Sequence, residues 1–145
     1  MRVAIVGGTG AVGQELLALL DERGFALDGL RVVASPRSAG RTVEFRGESI
    51  TVEALPDDGD LGSDIVFSSA GGSLSREHAW DWVEHGATVI DNTSAWRMDE
   101  RVPLVVPEVN ADAALTHRGL IANPNCSTII ALMAAPVMMK SGYDV

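Results

Sequence analysis

What the sequence lacks narrows the field before any motif is read. One cysteine occurs in 145 residues, so no internal disulfide can form and a reducing compartment is expected. No apolar run approaches the length of a membrane span. The opening Val3-Ala4-Ile5-Val6 breaks into glycines too soon for a signal peptide. Basic residues are few and scattered: 11 Lys and Arg stand against 20 Asp and Glu, a formal net charge of −9. Without a basic block, neither a nucleic acid nor an anionic membrane is expected as a partner. There is no internal repeat or low-complexity tract, and no residues are assigned to a metal. A soluble, cytoplasmic protein is the expectation. The length suits one domain, and 46% hydrophobic with 21% charged residues is an ordinary globular balance.

What is present is an alternation of short apolar runs with helical patterns, the signature of βαβ units and a mostly parallel sheet. Residues 2–6 read as a buried strand. Residues 11–23 carry a stripe of Leu16, Leu17, Leu19 and Leu20 and stop at Gly24. A second strand is expected at 30–34 and a looser hairpin over 42–53, turning at Arg46-Gly47-Glu48. Asp57-Asp58-Gly59-Asp60 reads as a turn or solvated loop. A strand at 64–67 leads through the small residues Ser68 to Gly72 into a helix at 74–85 that holds Trp80 and Trp82. Further strands are expected at 87–91 and 120–122. The last helix, 127–140, is expected to kink at Pro136. Gly142-Tyr143-Asp144-Val145 reads as a connection into a further strand.

Gly8-Thr9-Gly10-Ala11-Val12-Gly13 follows the first strand and opens the first helix, the context a dinucleotide loop requires. Gly8 is expected to allow the tight turn, Gly10 the approach of a pyrophosphate, and Gly13 the close packing of helix and strand. The anion would rest on free N–H groups at the helix N-terminus. The bland alternative is a glycine-rich turn that binds nothing. Taken with the element order, the loop points to a Rossmann-like, doubly wound α/β fold.

The end of the second strand discriminates between cofactors. An NAD site places Asp or Glu there for the ribose hydroxyls. This chain instead has Ala34-Ser35-Pro36-Arg37-Ser38-Ala39-Gly40-Arg41. An arginine with two hydroxyls would hold a 2′-phosphate that a carboxylate would repel. Each charge-assisted hydrogen bond is worth roughly 1.5–3 kcal/mol, so NADP is the expected cofactor, through Ser35, Arg37 and Ser38. The alternative is a solvated basic loop.

Two later segments fall at the same edge of such a sheet. Asp91-Asn92-Thr93-Ser94-Ala95-Trp96-Arg97 follows a strand, and Arg97 could clamp a phosphate or carboxylate in bidentate fashion or form a surface ion pair. Cys126, in Asn123-Pro124-Asn125-Cys126-Ser127-Thr128, sits between a strand and a helix. A helix N-terminus favours the thiolate, which makes Cys126 a candidate nucleophile; the other reading is a small buried hydrophobe. The nucleotide loop, Arg97 and Cys126 are all expected on one rim.

Gly7 to Gly13, Arg37-Ser38-Ala39-Gly40, Asp91 to Arg97, Val106-Pro107-Glu108-Val109-Asn110 and Asn123 to Thr128 together resemble the aspartate-semialdehyde dehydrogenase family. Their order and spacing match across essentially the whole chain. The resemblance implies an NADP-dependent enzyme of the route from aspartate to lysine, threonine and methionine, reversibly converting L-aspartyl-4-phosphate to the semialdehyde through a cysteine thioester. It assigns the nucleophile to Cys126, the phosphate clamp to Arg97, the cofactor loop to Thr9–Val12 and the 2′-phosphate contacts to Arg37 and Ser38. Asn125, beside the nucleophile, would help place the substrate. A homodimer or larger homo-oligomer is implied for the full-length enzyme.

The resemblance also implies that a general acid/base histidine, a substrate-carboxylate arginine and a glutamine lie in a second domain. Residues 1–145 are therefore expected to be the cofactor domain, without turnover alone, and with an apolar face uncovered where the family's last helix would return. His78, His85 and His117 are read as structural or solvated. One alternative is the reductase of N-acetylglutamyl phosphate, whose cysteine segment typically has Gly where this chain has Asn125. Another is a non-catalytic nucleotide-binding module, in which Cys126 would be unreactive.

Overall fold

A computed structural model describes the backbone of residues 1–140 and the side chains through residue 134. The expectations for Pro136 and for Gly142 to Val145 lie outside the residues so described. Seven strands form one sheet: β1 (Arg2–Val6), β2 (Gly29–Ala34), β3 (Thr42–Phe45), β4 (Glu48–Ala54), β5 (Ile65–Ser68), β6 (Thr88–Asp91) and β7 (Leu120–Ala122). Their order across the sheet is β3-β4-β2-β1-β5-β6-β7. All pairings are parallel except β3 with β4.

β1 lies in the middle, and Val3, Ala4, Ile5 and Val6 are buried on both faces, which is why its sequence is a continuous apolar run. The helix α1 (Ala11–Glu22) follows β1. Its Leu17 and Leu20 pack on one face of the sheet with Val3, Ile5, Val32 and Val52. On the other face, α2 (Gly72–Glu84) buries Ala79 and Trp82 against Ala4, Val6, Val66 and Val89. Helices on both faces make the sheet doubly wound, as the element pattern required.

The hairpin between β3 and β4 forms where expected. Arg46 (φ 53°) and Gly47 (φ 77°) both occupy the left-handed region, the backbone a two-residue hairpin turn of this twist demands. β4 then pairs in parallel with β2. Several strand and helix ends shift by one residue; α2 begins at Gly72, two residues before expectation, and α4 (Cys126–Lys140) begins on the cysteine itself. The segment between β6 and β7 was not anticipated as regular structure. It contains α3 (Pro107–Asn110) and a 3-10 helix (Ala111–Thr116), both too short to show a periodicity.

Candidate active site

The chain leaves β1 toward β2 on one side and later returns to β5 on the other. Between β1 and β5 the sheet therefore has a topological switch point, the crevice where open α/β sheets bind ligands. Here the loop after β1 meets the loop after β5. A Cβ on Gly7 would lie 2.8 Å from the Ser69 backbone, and Gly7 has φ +92°. The tight turn was expected at Gly8; its left-handed residue is Gly7. Gly8 lacks a side chain for another reason: a Cβ there would come within 2.3 Å of Val32 Cγ1. Gly13 is close-packed as expected, but against the loop, with a Cβ position 2.5 Å from Gly7 O and from Gly8 Cα. The signal for Gly7 was present in the sequence as the first glycine after the strand.

Gly10 is the N-cap of α1 and brings no side-chain hydrogen bond, and the first turn holds no acid. The leading N–H groups of a helix have no intrahelical acceptor, so those of Ala11, Val12 and Gly13 are available to an anion. Gln14, not singled out from sequence, clasps the loop: its Nε2 donates to Gly8 O at 2.7 Å. Beyond β2, Ser35 to Arg41 forms a tight turn in which Ser35 O accepts from Ser38 N (2.8 Å) and Ala39 N (3.2 Å). Arg37 is exposed, and its guanidinium pairs with no carboxylate among the described residues.

The Arg97 loop is held from beneath by Asp91. This carboxylate is fully buried and accepts from Ser75 Oγ (2.5 Å), Thr93 N (2.8 Å) and Thr93 Oγ1 (2.6 Å). Arg97 is half-buried; its Nε donates to Asn123 O at 2.9 Å and its Nη2 to Asn92 O at 3.1 Å. Asn123 Nδ2 in turn donates to Asn92 Oδ1. Arg97 is thus clipped to the strand ends of β6 and β7, pairs with no acid among the described residues, and keeps further N–H groups for a ligand. Four residues on, Arg101 donates to both oxygens of Asp99 (2.9 and 2.6 Å). Those hydrogen bonds hold the Asp99 carboxyl well below its ordinary value, at about 2.

Cys126 is exposed, not core, and is the first residue of α4. Asn125 precedes it as the N-cap, its Oδ1 accepting from Ser127 N at 2.9 Å while its carbonyl accepts from Ile129 N at 3.0 Å. Pro124 is buried and Asn123 N donates to Asp91 O at 2.8 Å, so the segment bearing the thiol is tied to the segment bearing Arg97. Gly7–Gly13, Asn92–Arg97 and Cys126 all follow strands of one parallel sheet and share its carboxyl edge. Asn92 and Asn123, which join two of these segments, were quoted in the motifs without a role; their place at strand ends was the available signal.

The histidines are elsewhere. His85 and His117 precede β6 and β7, which puts them at the opposite, amino edge. His117 is half-buried, and its Nδ1 accepts from Gly119 N at 2.9 Å. His78 stacks on Trp82 within α2 at a ring separation of 6.0 Å.

The α1 face of the sheet is incompletely covered beyond β1. Phe67, Ile90 and Ile121 are only half-buried, and a cavity of about 330 Å³ opens between α1 and β5–β6, lined by Leu16, Phe67 and Ile90. Among the described residues no helix is long and apolar enough to cross a membrane.

The doubly wound sheet with a glycine loop and helix N-terminus at its switch point defines a Rossmann-type domain. Residues 2–117 match the family described as semialdehyde dehydrogenase, NAD binding domain. The chain belongs to this family. It is 54% identical over 130 residues to the aspartate-semialdehyde dehydrogenase of a Synechocystis species, covering 90% of this chain and 38% of that protein. Aspartate semialdehyde dehydrogenase II from Vibrio cholerae, complexed with ASA, superposes with a TM-score of 0.87 at 45% identity, over 94% of this chain and 46% of that one. The Candida albicans aspartate semialdehyde dehydrogenase with NADP gives 0.67 at 26% identity, over 88% and 43%. The chain spans about two fifths of the length of the curated relatives it matches.

Proposed function

We propose that this chain is the cofactor-binding, nucleophile-bearing domain of an aspartate-semialdehyde dehydrogenase. The reaction is the reversible, NADPH-dependent reduction of L-aspartyl-4-phosphate to L-aspartate 4-semialdehyde with release of phosphate. One observation carries the reading: an exposed cysteine opens α4 at the same sheet edge as the glycine loop and the anchored Arg97, in a chain 54% identical to an enzyme of that name.

The residues fit the cofactor. The α1 N-terminus has no side-chain cap, so its N–H groups suit a pyrophosphate, while Arg37 with Ser35 and Ser38 suits a 2′-phosphate. When bound, NADPH supplies the hydride that takes the Cys126 thioester to the level of the aldehyde. Cys126 Sγ attacks the acyl carbon of the substrate; the carbon–oxygen bond to phosphate breaks, and a thioester remains. A thiol suits the task because a thioester accepts hydride where a carboxylate does not. Arg97 holds the leaving dianion, and Asn125 fixes the helix end that presents Sγ. The acid/base group, the substrate-carboxylate arginine and a glutamine come from a second domain, which also covers the open α1 face and pairs subunits into a homo-oligomer. His85 and His117 at the far edge support that division.

The test is NADP reduction by the semialdehyde. The whole protein should require both phosphate and Cys126, and residues 1–145 alone should bind NADP without turnover. Robust phosphate-dependent turnover by residues 1–145 would overturn the two-domain division. Absence of the reaction in the whole protein would overturn the function.

A further inference from the structure

The Asp91 carboxylate is wholly buried, and among the described residues every partner it has is a donor from an uncharged group. Such a group is costly to bury unless its lone pairs are satisfied, and here they are satisfied by a connected set. Ser75 Oγ donates to Oδ2 at 2.5 Å and itself accepts from Trp96 Nε1 at 2.8 Å. Thr93 donates twice to Oδ1, from N at 2.8 Å and from Oγ1 at 2.6 Å, and its Oγ1 then accepts from Ala95 N at 3.0 Å. The carboxylate therefore fixes Thr93, Ala95 and Trp96 directly or at one remove. These are the residues of the turn that ends in Arg97. The loop is also anchored sideways, since Asn123 N donates to Asp91 O.

We propose that Asp91 is a positioning residue for the phosphate-binding guanidinium: with Ser75 and Thr93 it sets the turn that aims Arg97 at the anion. The inference rests on the function proposed above. Only an acceptor with two oxygens serves this network. An amide in place of the carboxylate would turn an N–H₂ either toward Thr93 N, a donor, or toward Ser75 Oγ, which already accepts from Trp96. An unsatisfied donor is left in one arrangement, and a displaced hydroxyl proton in the other.

The experiment uses the whole protein and inorganic phosphate, with the semialdehyde and NADP, measuring KM for each reactant, kcat and Tm. Thr93→Val keeps the side-chain shape and removes the Oγ1 bonds to Asp91 and Ala95; Thr93→Ser restores them. Asp91→Asn is the direct variant, and the Thr93 pair decides if it does not fold. Loss of one hydrogen bond to a charged group corresponds to about tenfold or more. Thr93→Val should therefore raise KM for phosphate about tenfold, leave KM for NADP within about twofold, and be rescued by Thr93→Ser. A phosphate KM unchanged in Thr93→Val, or phosphate and NADP constants rising together, would overturn the inference while wild-type activity stands. A wild-type protein without phosphate-dependent activity would instead overturn the functional reading, and this inference with it.

Discussion

Gly13→Ala tests the architecture of the nucleotide loop through a single methyl group. An added Cβ would stand 2.5 Å from Gly7 O, 2.5 Å from Gly8 Cα and 2.7 Å from Gly8 C. All three are backbone atoms of a turn locked by Gly7 N and Gly8 N donating to Val33 O at 2.7 and 3.2 Å, so no rotamer change relieves the clash. Overpacking of this kind costs about 1–3 kcal/mol. Replacing a helical glycine by alanine returns up to about 1 kcal/mol. Contacts of 2.5 Å to backbone atoms place the cost in the upper half of that range, so the net loss is about 1–2 kcal/mol, or roughly 3–10 °C in Tm for a protein of this size. The loop must also shift relative to the N–H groups of Ala11 to Gly13, and displacing one bond to a charged group weakens binding about tenfold or more. Thermal melts and an NADP titration by intrinsic fluorescence read the two effects. A Gly13→Ala protein that melts at or above wild type and binds NADP equally would refute the close-packing argument.

Three other perturbations address separate parts of the site. Arg37→Ala should raise the Kd for NADP by about tenfold or more while leaving that for NAD unchanged, read by titration with both nucleotides. Asn125→Ala should destabilise the helix end by about 1 kcal/mol through loss of its cap, whereas Asn125→Ser, an equally good N-cap, should keep stability; turnover lost in Asn125→Ser would separate substrate contact from capping. The Asp99 carboxyl has a folded value of about 2 against 3.8 for the free group. Its contact with Arg101 therefore contributes above the unfolded value and is lost as pH falls from about 4 toward 2. Following the Asp99 side-chain carbon by NMR from pH 6 to 2 should show a midpoint near the lower end, and Arg101→Gln should move it up.

Much of the fold was legible because burial writes itself into the chain. Residues 2–6 are apolar without alternation since β1 is covered on both faces, and Gly47 marks the hairpin because the turn there is left-handed. The segment from Pro107 to Thr116 was not legible, as a four-residue helix and a 3-10 turn carry no period. At the site, the placement of Cys126 at a helix start followed from the strand before it and the apolar run after it. Asn125 is of a residue type favoured as an N-cap, and it caps α4 here. The distinction between Gly7 and Gly8 depends on which atoms lie across the turn, Ser69 in one case and Val32 in the other, and adjacent glycines do not reveal that. Asp91 is the clearest case of information held in three dimensions: its partner Ser75 comes from α2, and Trp96, which donates to Ser75, comes from the far side of the turn after β6.

In the proposed reaction Cys126 carries the substrate acyl group. Incubating the whole protein with L-aspartyl-4-phosphate in the absence of NADPH, quenching in acid and mapping peptides by mass spectrometry tests it most directly. One aspartyl group in thioester linkage is expected on the peptide containing Cys126, released by hydroxylamine and absent from Cys126→Ala. An unmodified Cys126 under conditions where the protein turns over, or an acyl group found on another residue, would contradict it.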